Sequence, residues 1–153
     1  MLSFILLSLS CLIFVPSIIF LYKNPDLKGR YILLTALIIQ TIICCWSDIS
    51  TSYNRKVNIE ALRWDFLCIF SLFIPSLLYF LYINNITNFL RPKTIFIIAA
   101  AFVFLINSFG WKRYFPILSK KGHNYDLVNI NHTFWHILVG YVTFNVINSN
   151  VKK

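Results

Sequence analysis

The sequence predicts an all-α membrane protein, a single domain over 1–153 with about five transmembrane helices packed in one bundle. Three observations predict it. First, 58% of the residues are hydrophobic and only 12% are charged, against about 25% charged in ordinary soluble domains. Second, the apolar residues gather in runs separated by short polar stretches, and about 20 such residues cross a bilayer core. Third, the cations fall in short clusters between those runs: Lys23/Lys28/Arg30, Arg55/Lys56/Arg63, Arg91/Lys93, Lys112/Arg113, Lys120/Lys121 and Lys152/Lys153. Lys and Arg flank membrane helices in this way and meet anionic headgroups. The net charge of +9 therefore points to a membrane surface and not to nucleic acid, since no basic helix is left over to grip a phosphate backbone.

The first predicted helix covers 2–22, with Pro16 tolerated as a kink. No basic segment precedes its apolar run, so it reads as a retained span rather than a cleaved signal. Lys23-Asn24-Pro25-Asp26 ends it. The second helix, 31–53, follows Gly29 and Arg30 and turns polar at its far end. There Gln40, Cys44, Ser47, Thr51 and Asn54 form one stripe at helical spacing, with Ser50 beside it. The third helix, 64–83, opens on Trp64-Asp65, and Trp64, Tyr79 and Tyr82 suit the two membrane interfaces. A polar turn leads to a short fourth helix, 94–108. Residues 109–127, holding Gly110, Pro116 and four cations, are expected to be a loop or an interfacial helix. The fifth helix covers 131–148.

The four cysteines, Cys11, Cys44, Cys45 and Cys68, all lie inside apolar runs, and none has CxxC spacing. They read as small, apolar packing residues. Lys and Arg do not decide the orientation, because each predicted face carries seven of them.

Asn131-His132-Thr133-Phe134-Trp135-His136 holds two of the three histidines, four residues apart. On a helix they share one face, one turn apart, and paired imidazoles suit zinc. The alternative is two interfacial histidines bonded to neighbouring helices. Parity adds weight to a site. With five spans, the end of helix two, the start of helix three and the start of helix five lie on one side of the membrane. Ser47, Ser50 and Asn54, then Asp65, then His132 and His136 fall in one layer. Asp48 and Asp65 are the only acids close to spans two and three.

These residues resemble the CREST superfamily, which includes alkaline ceramidases, progestin/adiponectin-type receptors, GPI-lipid remodelling factors and myomaker-like proteins. Its signature is Ser-xxx-His at the end of the second helix, Asp at the start of the third and His-xxx-His in the last. His132-Thr-Phe-Trp-His136 is similar to the last motif, Asp65 lies 15 residues after Ser50, and Ser50-Thr-Ser-Tyr53-Asn54 is similar to a Ser-xx-Tyr-His form. The chain departs from the pattern twice: Asn54 stands where the family has a histidine, and five helices are predicted where it has seven. The resemblance implies a shortened seven-helix core. It implies that His132 and His136 are zinc ligands, that Asp65 orients or deprotonates the attacking water, and that Ser50 stabilises a developing oxyanion. Zinc is the implied cofactor and a membrane lipid the implied partner.

Amide oxygens bind zinc poorly, so a third ligand is sought from His123, Asp48, Asp65 or Asp126. Each residue also has a structural reading. Asp65 can cap its helix or pair with Arg63, Ser50 can bond back to its own helix, Asn54 can simply end a helix, and His123 can be a loop histidine. Two functions follow: a zinc-dependent hydrolase of a lipid amide or ester, or a non-catalytic scaffold or lipid-binding relative. A small transporter or channel subunit is a third reading, but no broken-helix pair supports it.

Overall fold

The computed structural model describes residues 2–54, 59–86, 91–114 and 125–148. Every element among them is helical, and the elements join into five rods. The first rod is α1 (Leu2–Ser10), a 3-10 turn (Cys11–Phe14) and α2 (Val15–Lys23). Pro16 lies in the first turn of α2. It lacks an N–H, and its ring crowds the carbonyl four residues back, so the tighter turn before it absorbs the break without ending the rod. Ser3, Ser10 and Ser17 are buried on this rod. They recur every seven residues, and small side chains of this kind let neighbouring helices approach closely.

The turn into the second rod requires Gly29. Its φ is +66°, and a Cβ there would stand 2.5 Å from Ile83 Cδ1. Arg30 reaches back to the Leu21 and Tyr22 carbonyls at 3.4 and 3.2 Å, satisfying acceptors left open at the end of α2. The second rod is one unbroken helix, α3 (Arg30–Asn54).

The third rod is α4 (Ile59–Cys68), a π-turn (Ile69–Phe73) and α5 (Ile74–Ile83). One buried face runs Ala61, Asp65, Cys68, Phe73, Ser76 and Phe80, with Leu81 buried beside its end. The residues of that face step by four, three, five, three and four. The single step of five spans the π-turn, whose extra residue keeps the face in register just before Pro75.

The fourth rod is α6 (Pro92–Tyr114) and the fifth α7 (Tyr125–Asn148). Both are longer than expected. The backbone of α6 runs through Gly110 to Tyr114, because one helical glycine costs only about 1 kcal/mol relative to alanine. That part of 109–127 is therefore helix rather than loop. Helix α7 begins at Tyr125, so His132 sits about two turns inside it and not at its mouth.

Three stretches are long and apolar enough to cross a membrane: Ile5–Lys23, Arg30–Ser50 and Arg63–Ile83. The fourth rod contributes a shorter apolar stretch, Pro92–Leu105. The fifth expected span is not among them. Its inner face carries Asn129, His132, His136 and Thr143, all buried, and these lower its apolar character. The hydrophobic core sits at one end of the rods. Leu21, Leu33, Leu37, Phe80, Leu81, Val146 and Ile147 meet there, where the first, third and fifth rods end and the second begins. Most of the buried polar groups collect toward the opposite end, Ser17, Ser76 and Thr143 aside.

Candidate metal centre

Each rod delivers its polar residues by helical spacing. The buried face of α3 runs Leu33, Leu37, Gln40, Cys44, Ser47, Asp48, and that of α7 runs Asn129, His132, His136, Gly140, Thr143. Cys44 and Asp48 are four apart, as are His132 and His136, so each pair shares a face one turn apart. The first rod brings Ser10 and Cys11 to the same level, since it runs antiparallel to α3. Cys11, Cys44, Asp48, His132 and His136 are all buried, none more than 5% exposed.

Asp48 lies at the centre. One carboxylate oxygen is 3.3 Å from His132 Nε2. The other is 3.6 Å from His136 Nδ1 and accepts from the Cys11 thiol at 3.1 Å. The two imidazole centroids are 4.5 Å apart, edge to face. Ser10 Oγ donates to the Leu7 carbonyl at 2.6 Å and lies 2.7 Å from His136 Nδ1, so the ring is held from that side. Its Nε2 is 3.3 Å from Cys44 Sγ. A metal-ligating imidazole is oriented in this way, through the nitrogen that does not meet the ion.

Cys11, Cys44, Asp48 and His136 each place one donor atom within 4.8 Å of the others, so the group could hold a metal ion. The spacing is close to that of a tetrahedral zinc site. Bonds of about 2.0–2.3 Å to N, O and S in a tetrahedron imply donor–donor edges of about 3.3–3.8 Å. Of the six edges, three fall within that range, 3.6 Å between the two sulfurs, 3.3 Å from Cys44 Sγ to His136 Nε2 and 3.8 Å from Asp48 Oδ2 to Cys44 Sγ; the edge from Asp48 Oδ2 to Cys11 Sγ is shorter, 3.1 Å, and all donor atoms lie within 4.8 Å of one another.

The residues expected from sequence are distributed as follows. His136 and Asp48 belong to this group. His132 contacts it through Asp48. Asp65 is buried beside it on the third rod and accepts from Gln40 Nε2 at 2.7 Å. Six residues inside a helix that begins at Ile59, it does not cap that helix, and it pairs with Gln40 rather than with the exposed Arg63. Ser50 Oγ donates to the Ser47 carbonyl at 3.0 Å, the back-bond weighed as its alternative. His123 lies outside the described residues, as do the side chains of Asn54 and Asp126.

Cys11 and Cys44 are buried between rods, as packing residues would be, and their sulfurs also face donors on other rods. CxxC spacing is the wrong signal when the donors come from separate helices. The usable signals were the Cys44/Asp48 pair at helical spacing and the antiparallel parity that puts Ser10 and Cys11 in the polar layer.

A cavity of about 290 Å³ adjoins the centre between the second, third, fourth and fifth rods. Phe73, Trp135, Leu138 and Val139 give it apolar walls, while Cys44, His136, Gln40 and Asp65 line it as well. No protein-family model, no curated protein and no solved structure matches the chain.

Proposed function

We propose that the chain is a multi-pass integral membrane protein that holds zinc and hydrolyses the amide or ester of a membrane lipid, as a shortened relative of the CREST superfamily. One observation carries the reading: Cys44 and His136 belong both to the metal-binding group and to the wall of the apolar cavity. Metal and lipid chain are thereby neighbours. The membrane setting is supported by the three span-length stretches and by exposed apolar side chains such as Ile5, Leu9, Ile19, Ile42 and Phe70.

In this reading Cys11, Cys44, Asp48 and His136 are the donor set, in place of the third family histidine that Asn54 replaces, and hydrolysis requires one of the four to yield its position to water or the substrate carbonyl. Bound zinc supplies a Lewis acid for a carbonyl and lowers the pKa of water toward about 7. Ser10 keeps the His136 ring oriented, and His132 does the same for the Asp48 carboxylate. Asp65, held by Gln40 at the cavity wall, accepts a proton from the attacking water. The cavity holds the lipid chain and keeps bulk water away.

The test is release of fatty acid from a ceramide and from an acyl ester in detergent micelles. The zinc-loaded parent is compared with Asp65→Asn. Release should fall roughly 10²–10⁴-fold in the variant, the range for loss of a general base, with zinc content unchanged. A zinc-loaded parent that releases nothing would sink the hydrolase.

One observation favours a second reading. Four protein donors fill a tetrahedron, and structural zinc sites are closed in this way. The chain would then be a metal-braced scaffold that binds a lipid without cleaving it.

A further inference from the structure

A second cavity, about 240 Å³, opens between the start of α6 and the second half of α7. Arg91, Lys93, Tyr141 and Asn145 line its polar part. Ile97, Val142 and Val146 line its apolar part. It lies at the end of the rods opposite the metal centre: Asn145 is nine residues along α7 from His136, or about 13 Å. Arg91 and Lys93 are exposed, and no acidic residue lines the cavity. The loops at this end carry Lys23, Lys28 and Arg30 as further described cations, with Asp26 as the one described acid. Two cations beside neutral donors, continuous with an apolar wall, complement an anionic headgroup whose chain runs along the protein. A zwitterionic headgroup brings its own cation and gains less from the pair.

We propose that Arg91 and Lys93 bind the phosphate of an anionic phospholipid, with its chain against Ile97, Val142 and Val146. The proposal rests on the chain being a membrane protein but not on its being a hydrolase. Ile97, one turn from Lys93, continues the basic end of the cavity into its apolar wall, so headgroup and chain are read by one groove.

The experiment uses the full chain in nanodiscs of mixed phosphatidylglycerol and phosphatidylcholine. Lipid retained through a detergent wash is quantified by mass spectrometry. The parent should retain phosphatidylglycerol preferentially. Arg91→Gln/Lys93→Gln should lose roughly thirtyfold of that preference, the scale of two basic side chains at an anionic surface. Arg91→Lys/Lys93→Arg should keep it, and so should Lys23→Gln/Lys28→Gln, which removes two cations from the same end. Equal losses in the two neutralised pairs would mean diffuse surface charge and overturn the site. So would an unchanged preference in Arg91→Gln/Lys93→Gln, or full displacement of the lipid by inorganic phosphate. A parent that cannot be reconstituted in lipid at all would instead count against the membrane reading.

Discussion

His132 and His136 are equivalent in the sequence and different in the fold. His136 presents Nε2 to Cys44 while Ser10 holds its Nδ1. His132 meets Asp48 from the oxygen turned away from the cysteines. His136→Ala should therefore abolish zinc retention, while His132→Ala and Ser10→Ala should each weaken it about 10–100-fold, the usual cost of losing a group that orients a ligand. Chelator competition on purified protein measures this, and equal losses at His132 and His136 would contradict the assigned donor set. The cysteines give a sharper readout. Cobalt bound in place of zinc should show thiolate charge-transfer absorption, reduced in Cys11→Ser and again in Cys44→Ser. Cobalt bound without that absorption would exclude sulfur ligation.

The first rod is the element on which the centre depends, because it supplies both Cys11 and Ser10. Its seat against α7 is tight. A Cβ on Gly140 would stand 2.5 Å from Ile13 Cγ1 and Cγ2 and 3.0 Å from Ile13 Cβ. Those atoms branch next to the backbone and cannot swing aside. Gly140→Ala should cost about 1–3 kcal/mol by overpacking and lower zinc retention by moving the first rod, though Gly140 touches no donor. Ile13→Ala should restore zinc retention to Gly140→Ala by opening space. Thermal unfolding and zinc content of the single and double variants test the pair, and the failure of Ile13→Ala to rescue would remove the packing explanation. The third rod shows the same logic handled by the backbone, its π-turn returning Phe73 and Phe80 to the core face.

At the scale of the whole molecule, the donor set ties together rods distant in sequence: Cys11 from the first, Cys44 and Asp48 from the second, His136 from the fifth. Metal binding to such a set is folding free energy, since the unfolded chain holds no preformed site. Removing zinc from the detergent-solubilised parent should lower its melting temperature by roughly 5–15 °C, the range set by ligand linkage at high occupancy and the size of the chain. His136→Ala should melt near the metal-free value and not respond to chelator. A parent whose melting is unchanged by chelator would separate the polar cluster from stability. The two ends of the rods also differ in kind. One is closed by Phe80, Leu81, Val146 and Ile147, and the other by carboxylates, imidazoles and thiols.

The all-helical architecture and the approximate course of the rods were legible in the chain, because apolar runs and helical periodicity are local properties. Part of the polar layer was legible too, because antiparallel parity follows from counting helices: Ser47, Asp65, His132 and His136 are buried, while Ser50 turns back onto the Ser47 carbonyl. His136 could be named from its spacing to His132, and Asp48 and Asp65 from being the few acids near the spans. The ends of α6 and α7 were not legible, since a lone glycine and polar first turns end helices in some contexts and not in others. Nor was the choice of donors. Which of Cys11, Cys44 and Cys45 turns toward Asp48, and whether Asp65 takes Arg63 or Gln40, depends on how rods separated by dozens of residues rotate against one another. That rotation is fixed by contacts such as Ile13 on Gly140 and Phe14 on Phe73, and only packing in three dimensions decides it.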